Sequence, residues 1–473
     1  PMKDCRKFYI NGEWVDPVQA NDFPVENPAT EQPVAVISLG TTTDVDKAVA
    51  AANSAFDGFS QTSPEQRLAL LEKLLVIYMA RYSEMAEAMR LEMGAPVSFA
   101  ERAQADCGRG HIQSAIDALR HYEFEQRINN TLIVKEPIGV CGLITPWNWP
   151  INQITCKVAP AIATGCTMVL KPSGVAPLSA YLFTEMIDQA GFPPGVFNLV
   201  NGDGTVVGTA LAKHPDIQMI SFTGSTRGGA SVAKAAADTV KRVAQELGGK
   251  SPNILLDDAD FEVAVTKGVL HCMENTGQSC NAPTRMLVPK SRYDEAVALA
   301  KTAVEKVNVD HPDKAGRHLG PLASRNQYDK VQQLIQTAID TGARLVAGGP
   351  GKPKGLETGH YAKPTLFADV NNQMAIAQEE VFGPVLVMIP YNDEDEAIQI
   401  ANDTVYGLAA YIQTGDVDRG QHIARRLRAG MVGINYAAHG YDAPFGGYKQ
   451  SGNGREWGKY GFEDYLEIKA ISC

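Results

Sequence analysis

The tetrapeptide GQSC ends on Cys280, and a thiol set among Gly277, Gln278, Ser279 and Asn281 is the chain's clearest candidate nucleophile. A cysteine reacts as its thiolate, which requires an accessible and polar setting of this kind. A packed core thiol would suit the same segment equally well, because free cysteines are among the most buried residues. In ELGGKSP, Glu246 closes a strand-like run just before Gly248 and Gly249, so its carboxylate reaches a sheet rim, as a general base or as a plain surface charge. PWNWP at 146–150 holds Asn148 in a rigid turn after the strand-like IGVCGLIT; a side-chain amide there suits a developing oxyanion, and a packing turn is the other reading. GSTRGG at 224–229 opens a small-residue helix, where free N–H groups and the Ser225 hydroxyl form an anion site or a plain glycine-rich turn. GDGTVVG at 202–208 misses the GxGxxG spacing because Val207 stands where the third glycine belongs, and it reads as a turn. There is no HExxH and no CxxC among the eight cysteines, so no metal site and no disulfide framework is expected.

The elements that must position these residues alternate. From 138 to 246 short β-rich runs (IGVCGLIT, TMVLK, VFNLV, IQMISF, VAQEL) are separated by helical stretches near 153–164, 177–190, 205–212 and 227–239, the pattern of parallel βαβ units in a doubly wound sheet. Such sheets bind ligands at the carboxyl ends of their strands. A second α/β stretch spans about 250 to 430, and the region 44–121 is largely helical, with Pro64 and Gly94 at helix-terminal positions.

Size and charge narrow the class. At 473 residues, with 44% hydrophobic and 21% charged residues, the chain should fold throughout into two or three domains. Its net charge of -11 is spread without basic blocks, which argues against nucleic acid as a partner. No signal-like apolar run opens the sequence and no apolar stretch is long enough to span a bilayer, so no membrane association and a soluble cytoplasmic protein are expected.

Taken together, PWNWP, KPS, FTGSTRGG, ELGGKSP, GQSC, EEVFGPV and PFGGYKQSGNGRE stand in the order and spacing of the aldehyde dehydrogenase superfamily, which the chain resembles over essentially its whole length. The resemblance implies that Cys280 is the nucleophile, Glu246 the base, and Asn148 with the Cys280 backbone N–H the oxyanion hole. For the cofactor, NAD or NADP, it implies contacts from Thr145, Pro146, Trp147, Lys171, Ser173, Gly224, Ser225, Glu380 and Phe382. Lys171 would meet the adenosine ribose, Ser225 the pyrophosphate, and Glu380 and Phe382 the nicotinamide ribose and ring. Lys157 and Glu456 resemble a distal proton-relay pair. Asn152, Gln153, Cys156, Ser279, Asn281 and His439 would line the substrate tunnel, and their polarity points to a polar or aromatic semialdehyde. The reaction implied is aldehyde oxidation to the acid through a thiohemiacetal and a thioester on Cys280, with water activated by Glu246 completing the cycle. A cofactor-free thiol hydrolase is the alternative enzyme class, and it leaves the GST and EEVFGPV motifs without a role.

Many relatives carry glutamate after KPS, where it accepts from the ribose 2'-hydroxyl. Here the residue is Gly174, and its lack of a carboxylate removes a barrier to the NADP phosphate, so NADP should at least be tolerated. The family architecture implies an α/β cofactor domain (1–117 and 138–248), an α/β catalytic domain (249–449) and a small β oligomerisation element (118–137 and 450–473) that builds a homodimer or homotetramer.

Overall fold

The computed structural model describes residues 2–473 and contains four sheets. The first has eight strands, in the order Gly452–Asn453, Arg242–Glu246, Met219–Thr223, Val140–Ile144, Thr167–Lys171, Phe197–Leu199, Phe8–Ile10 and Glu13–Val15. Its five central strands are mutually parallel and almost wholly buried, as strands covered by helices on both faces must be. Chain order reverses between Val140–Ile144 and Met219–Thr223: later strands are added on one side from 167 and on the other from 219. That reversal opens a crevice at the carboxyl ends of the two strands, and the segments leaving those ends are Thr145–Asn148 and Gly224–Ser225.

The second sheet has seven strands built around Ser251–Leu255, with Pro283–Pro289 on one side and Ala409–Gln413 on the other; only Arg344–Ala347, at an edge, runs antiparallel. The mixed α/β class with doubly wound parallel sheets is therefore as the sequence pattern implies. Local chemistry sets the helix ends. Ser63 accepts from the Gln66 N–H and Gln66 answers with its side chain, so that helix Pro64–Ala80 starts on a reciprocal cap with proline at its first position. Leu71, Leu74 and Tyr78 recur on its inner face and are fully buried.

A small antiparallel sheet joins Leu466–Ser472, Thr131–Pro137 and Glu125–Ile128. It is narrower than the sequence reading of 118–137 plus 450–473. Helix Ala105–His121 runs on past 118, because Ile116 and Leu119 continue to bury its inner face. Within 450–465, Gly452–Asn453 extends the eight-stranded sheet beside Gln245 and Glu246, and Glu456 bridges to Phe445.

Candidate active site

Cys280 follows a backbone that few sequences adopt. Helix Phe261–Met273 gives way to Asn275, Thr276 and Gly277, all with positive φ (57°, 57° and 72°). A Cβ on Gly277 would lie 1.9 Å from the Gly383 carbonyl oxygen, so only glycine lets this loop press against the 379–385 segment. The thiol is half-buried, whereas Cys5, Cys141, Cys156, Cys166 and Cys272 are buried outright and none of the eight cysteines forms a disulfide. Burial first, and then the carboxylates of Glu380 and Glu246, push the Cys280 thiol well above the usual range.

Asn148 is tied to that loop. Its Nδ2 donates to the Gln278 carbonyl (3.2 Å) and its own carbonyl accepts from Asn275 Nδ2 (2.9 Å) and Gln104 Nε2 (3.2 Å). Gln278 in turn accepts from the Ala323 N–H through its side chain. The amide of Asn148 is thus held beside the nucleophile with one Nδ2 hydrogen still free.

Two cavities meet at Cys280. The first, about 290 Å³, lies in the crevice of the eight-stranded sheet and is walled by Pro146, Trp147, Asn148, Gly224, Ser225 and Glu246, with Glu380 and Phe382 across from them. Trp147 and Phe382 meet edge to face at 5.5 Å. Gln327 Nε2 donates to the carbonyls of Val381 and Phe382, which fixes Phe382 at its positive φ of 58°. Gly249 donates its N–H to Glu380 Oε2 (2.8 Å), and burial raises the Glu380 carboxyl to about 7.

Both oxygens of Glu246 are buried without a hydrogen bond, as is Thr223 Oγ1. Burial, then the Glu456 carboxylate, hold Glu246 well above the carboxylate range. Ser225 caps helix Thr226–Ala236 by accepting from the Gly228 N–H (3.0 Å), which leaves its own hydroxyl proton and the first-turn N–H groups for an anion. Thr145, Lys171 and Ser173 lie off this cavity. Thr145 Oγ1 is buried without a partner, Ser173 Oγ accepts from the Val175 N–H, and Lys171 Nζ reaches only its neighbour's carbonyl (3.1 Å) while burial lowers it to about 8. Lys171 Nζ, which keeps hydrogens free at the end of Thr167–Lys171, the unpartnered Thr145 hydroxyl and the first-turn N–H groups after Ser225 are donors of the kind that a phosphate-bearing dinucleotide laid across the switch point would meet.

The second cavity, about 250 Å³, is walled by Asn152, Gln153, Ser279, Asn281 and His439, five of the six residues that the resemblance places along a substrate tunnel, and by Glu456, which it places in a proton relay. Cys156 is the exception. It does not line the cavity, and its thiol lies behind that wall, donating to the Gln153 carbonyl (3.5 Å) and Glu456 Oε1 (3.6 Å). Its helix, Pro150–Thr164, is buried on nearly every face, so spacing from Asn152 does not tell which side opens on a cavity. Lys157 is fully buried and donates to Glu456 Oε2 (2.8 Å) and Ser221 Oγ (2.7 Å); burial alone would depress the amine, but the Glu456 carboxylate, together with Cys156 and Glu246, more than offsets it. Sequence reasoning misses the aromatic walls Trp149, Tyr411, Tyr441, Phe445 and Trp457, together with Cys107, His271 and Glu274 at the mouth. Of these only Trp149, inside PWNWP, sits in a segment that sequence marks.

A thiol at the junction of two cavities, with a buried carboxyl and a fixed side-chain amide lining one of them, is the arrangement that a thiol-based dehydrogenase on a dinucleotide-binding fold would use. The Aldehyde dehydrogenase family model matches residues 14–471. Among curated proteins the chain is 58% identical over 471 residues to a 3-succinoylsemialdehyde-pyridine dehydrogenase of Pseudomonas sp, covering 99% of each. Among solved structures it matches a mutant of aldehyde dehydrogenase C from Pseudomonas syringae, complexed with NAD+ and octanal, at TM-score 0.98 and 54% identity, covering 99% of this chain and 96% of that one. It also matches an aldehyde dehydrogenase of Mycobacterium tuberculosis complexed with NAD+ at TM-score 0.97 and 39% identity, covering 100% and 99%. The chain belongs to the aldehyde dehydrogenase family. It is an oxidoreductase that converts an aldehyde to the corresponding acid. No helix among the described residues is long and apolar enough to cross a membrane.

Proposed function

We propose that Cys280, Glu246 and Asn148 carry this oxidation, with the aldehyde entering from the Trp457 side and a nicotinamide dinucleotide from the Ser225 side. The observation that carries the assignment is that Cys280 is common to both cavities, so one sulfur can face substrate and cofactor at once. A nicotinamide dinucleotide in the crevice would supply the hydride acceptor. The Cys280 sulfur adds to the aldehyde carbon, and the resulting oxyanion is met by the free Nδ2 hydrogen of Asn148 and the Cys280 N–H. Oxidation of that adduct leaves a thioester on Cys280. Glu246, buried and without a hydrogen-bond partner in the protein, takes a proton from water as the water attacks the thioester. The Glu456–Lys157–Ser221 chain lies behind Glu246 as the route by which that proton leaves.

In the same reading Lys171 and Ser173 hold the adenosine ribose, Ser225 and Gly224 the pyrophosphate, Pro146 and Trp147 the floor of the crevice with Thr145 at the strand end beside it, and Glu380 and Phe382 the nicotinamide ribose and ring. NAD is the cofactor of the structural relatives named above, and NADP is tolerated here as well. A Cβ on Gly174 would meet only Phe23 Cε1, at 3.8 Å, so the space a glutamate fills elsewhere is open beside Lys171. Three further assignments follow. The substrate is a polar or aromatic semialdehyde. The domains are 1–117 with 138–248 and 249–449, joined by a bridging element within 118–137 and 450–473. The exposed Ile468 and Ile471 on the 466–472 strand mark that element as a homodimer or homotetramer contact.

Aldehyde-dependent formation of reduced nicotinamide tests the whole reading. Wild type should show it with octanal and with aryl aldehydes, and Cys280→Ala should not. Ester cleavage without cofactor, and no nicotinamide reduction with any aldehyde, would instead show a thiol hydrolase.

A further inference from the structure

Turning an aldehyde, oxidised nicotinamide and water into a carboxylate and reduced nicotinamide also frees two protons. The thiol proton is lost as its adduct forms and is oxidised, and a water proton is lost as hydrolysis restores the thiol. The Cys280 thiol is held well above the usual range, so its proton must be taken when the sulfur adds to the aldehyde. Two carboxyls are felt most strongly there, Glu380 and Glu246. Glu380 is engaged by the Gly249 N–H, whereas neither oxygen of Glu246 has a partner. Glu246 therefore takes a proton twice in each cycle and must lose the first before it can activate water. At that moment the acyl group stands in one cavity at Cys280 and reduced cofactor in the other, so the proton needs a way out that crosses neither.

The Glu456–Lys157–Ser221 chain supplies no such outlet by itself. Lys157 and Ser221 are buried, and Glu456 faces the substrate cavity. One further carboxyl stands close by. Asp464, half-buried just before strand Leu466–Ser472, lines neither cavity, and its carboxylate accepts no hydrogen bond from the described residues. Arg242 directs its guanidinium to the backbone carbonyls of Asp464 and Leu466 and to Glu467, not to the Asp464 carboxylate. Glycine brings Asp464 near the base. A Cβ on Gly446 would stand 2.8 Å from Glu246 Oε1 and also 2.8 Å from the Gly454 carbonyl oxygen, and a Cβ on Gly454 would stand 2.7 Å from Asp464 Oδ2. Both glycines have positive φ, 153° and 88°, and Gly454 is half-exposed. Along this line glycine backbone alone separates the two carboxyls, beside the Arg455 stem, whose Nη1 donates to the Gly447 and Gly454 carbonyls.

The charges of Glu456 and Lys157 are felt at Asp464, and that of Asp464 is felt at Glu246. Burial first, then Glu456, raise the Asp464 carboxyl to about 6; Arg242 and Lys157 pull against the rise and Glu463 adds to it. A group of that strength takes up a proton handed outward and returns it to water near neutral pH. We propose that Asp464 is the outlet for the protons shed by Glu246, which reach it through water bridging at the Gly446–Gly454 backbone and pass to solvent behind the active site. Asp464 touches neither substrate nor cofactor and acts only through Glu246. The inference rests on the active-site reading above and extends it by one residue.

Acyl-enzyme decay senses the outlet, and rapid quench after stopped-flow mixing with octanal and NAD measures it. Asp464→Asn breaks no hydrogen bond, so the burst of reduced nicotinamide should keep its wild-type amplitude. Decay of the acyl-enzyme should slow about tenfold or more, short of the roughly 10²- to 10⁴-fold that loss of the base itself would cost. Asp464→Glu should keep most of the wild-type rate. The hindered base dimethylpyridine carries protons but does not attack a thioester. Its addition should restore decay in Asp464→Asn as its concentration rises and leave wild type unmoved, a response that a merely structural loss would not give. Wild-type decay in Asp464→Asn would show that the proton leaves through one of the cavities, and slowed decay that dimethylpyridine does not lift would show a structural effect; either result overturns the proposal. Absence of any burst in wild type would instead overturn the active-site reading beneath it.

Discussion

Replacing Glu246 with glutamine tests the assignment of the hydrolytic step most sharply, because the structure separates chemistry from folding at this position. Both carboxyl oxygens are buried and hydrogen-bonded to nothing, and burial and Glu456 push the group's pKa well above the carboxylate range. A neutral amide of the same shape and volume therefore breaks no hydrogen bond within the protein and strands no charge, so stability should change by no more than about 1 kcal/mol. What the amide cannot do is take a proton from water. A positioned general base contributes roughly 10²- to 10⁴-fold, which corresponds to about 3 to 5 kcal/mol of barrier. Stopped-flow mixing of the Glu246→Gln variant with aldehyde and NAD should give a burst of reduced nicotinamide of about one per active site, followed by turnover slowed by that factor. The pH dependence has a definite sign. The base form is the carboxylate, which is populated above the pKa, and that pKa is raised. In wild type kcat should climb with pH through a limb lying above the ordinary carboxylate range, and the variant should lack the limb. Wild-type turnover in the glutamine variant, or an unchanged ascending limb, would show that the base lies elsewhere.

Three further outcomes follow from particular contacts. Gly174→Glu has open space for its side chain and should lower kcat/KM with NADP about tenfold or more relative to NAD; an unchanged ratio in steady-state assays would show that position 174 does not sense the 2'-phosphate. Glu456→Leu strands the fully buried Lys157 without its 2.8 Å partner and should cost about 3 to 5 kcal/mol by denaturant unfolding, most of it recovered in the Lys157→Met, Glu456→Leu double variant. Glu92 is fully buried at the start of helix Leu178–Ala190, accepts from the Ser179 N–H and Oγ, and is raised by burial to about 8. The folded state thus keeps a proton that the unfolded state gives up near 4.5, so this group's contribution to stability is complete below about 4.5 and is lost as pH rises toward 8. Urea midpoints at acidic and alkaline pH should differ less in Glu92→Gln than in wild type.

The strands and their parallel order were legible because each rests on a local rule, whereas Cys280, Glu246 and Asn148 stood out only through the ordered set of motifs, since each alone also fits a core thiol, a surface charge or a packing turn. Alternation of short apolar runs with helices fixes the doubly wound sheet, and the turns leaving the carboxyl ends of adjacent strands carry PWNWP and GST. Where sequence misled, the missing information was the direction of a side chain. Cys156 lies four residues beyond Asn152 on one helix, which on an exposed helix would place both on the same face. Here the helix is buried nearly all round, so its faces are divided among several packed elements, and the Cys156 thiol meets Gln153 and Glu456 instead of lining the cavity.

Other features depended on partners that no local pattern records. Asn275 and Gly277 are residue types that tolerate positive φ, but Thr276 between them is not, and the turn that presents Cys280 is imposed by Asn148, Gln104 and the Gly383 carbonyl. Trp457 follows Glu456 in a stretch that reads as a loop, yet it sits where four aromatic side chains converge. Nothing near His111 in sequence indicates that it faces Asn152, since the two lie on separate helices that pack side by side. The proposed reacting centre could be named from sequence because its chemistry restricts residue type at a few positions set in ordered motifs. The substrate wall could not, because any residue of suitable shape arriving from a distant segment can build it, and that freedom is what allows one reacting centre to serve different aldehydes.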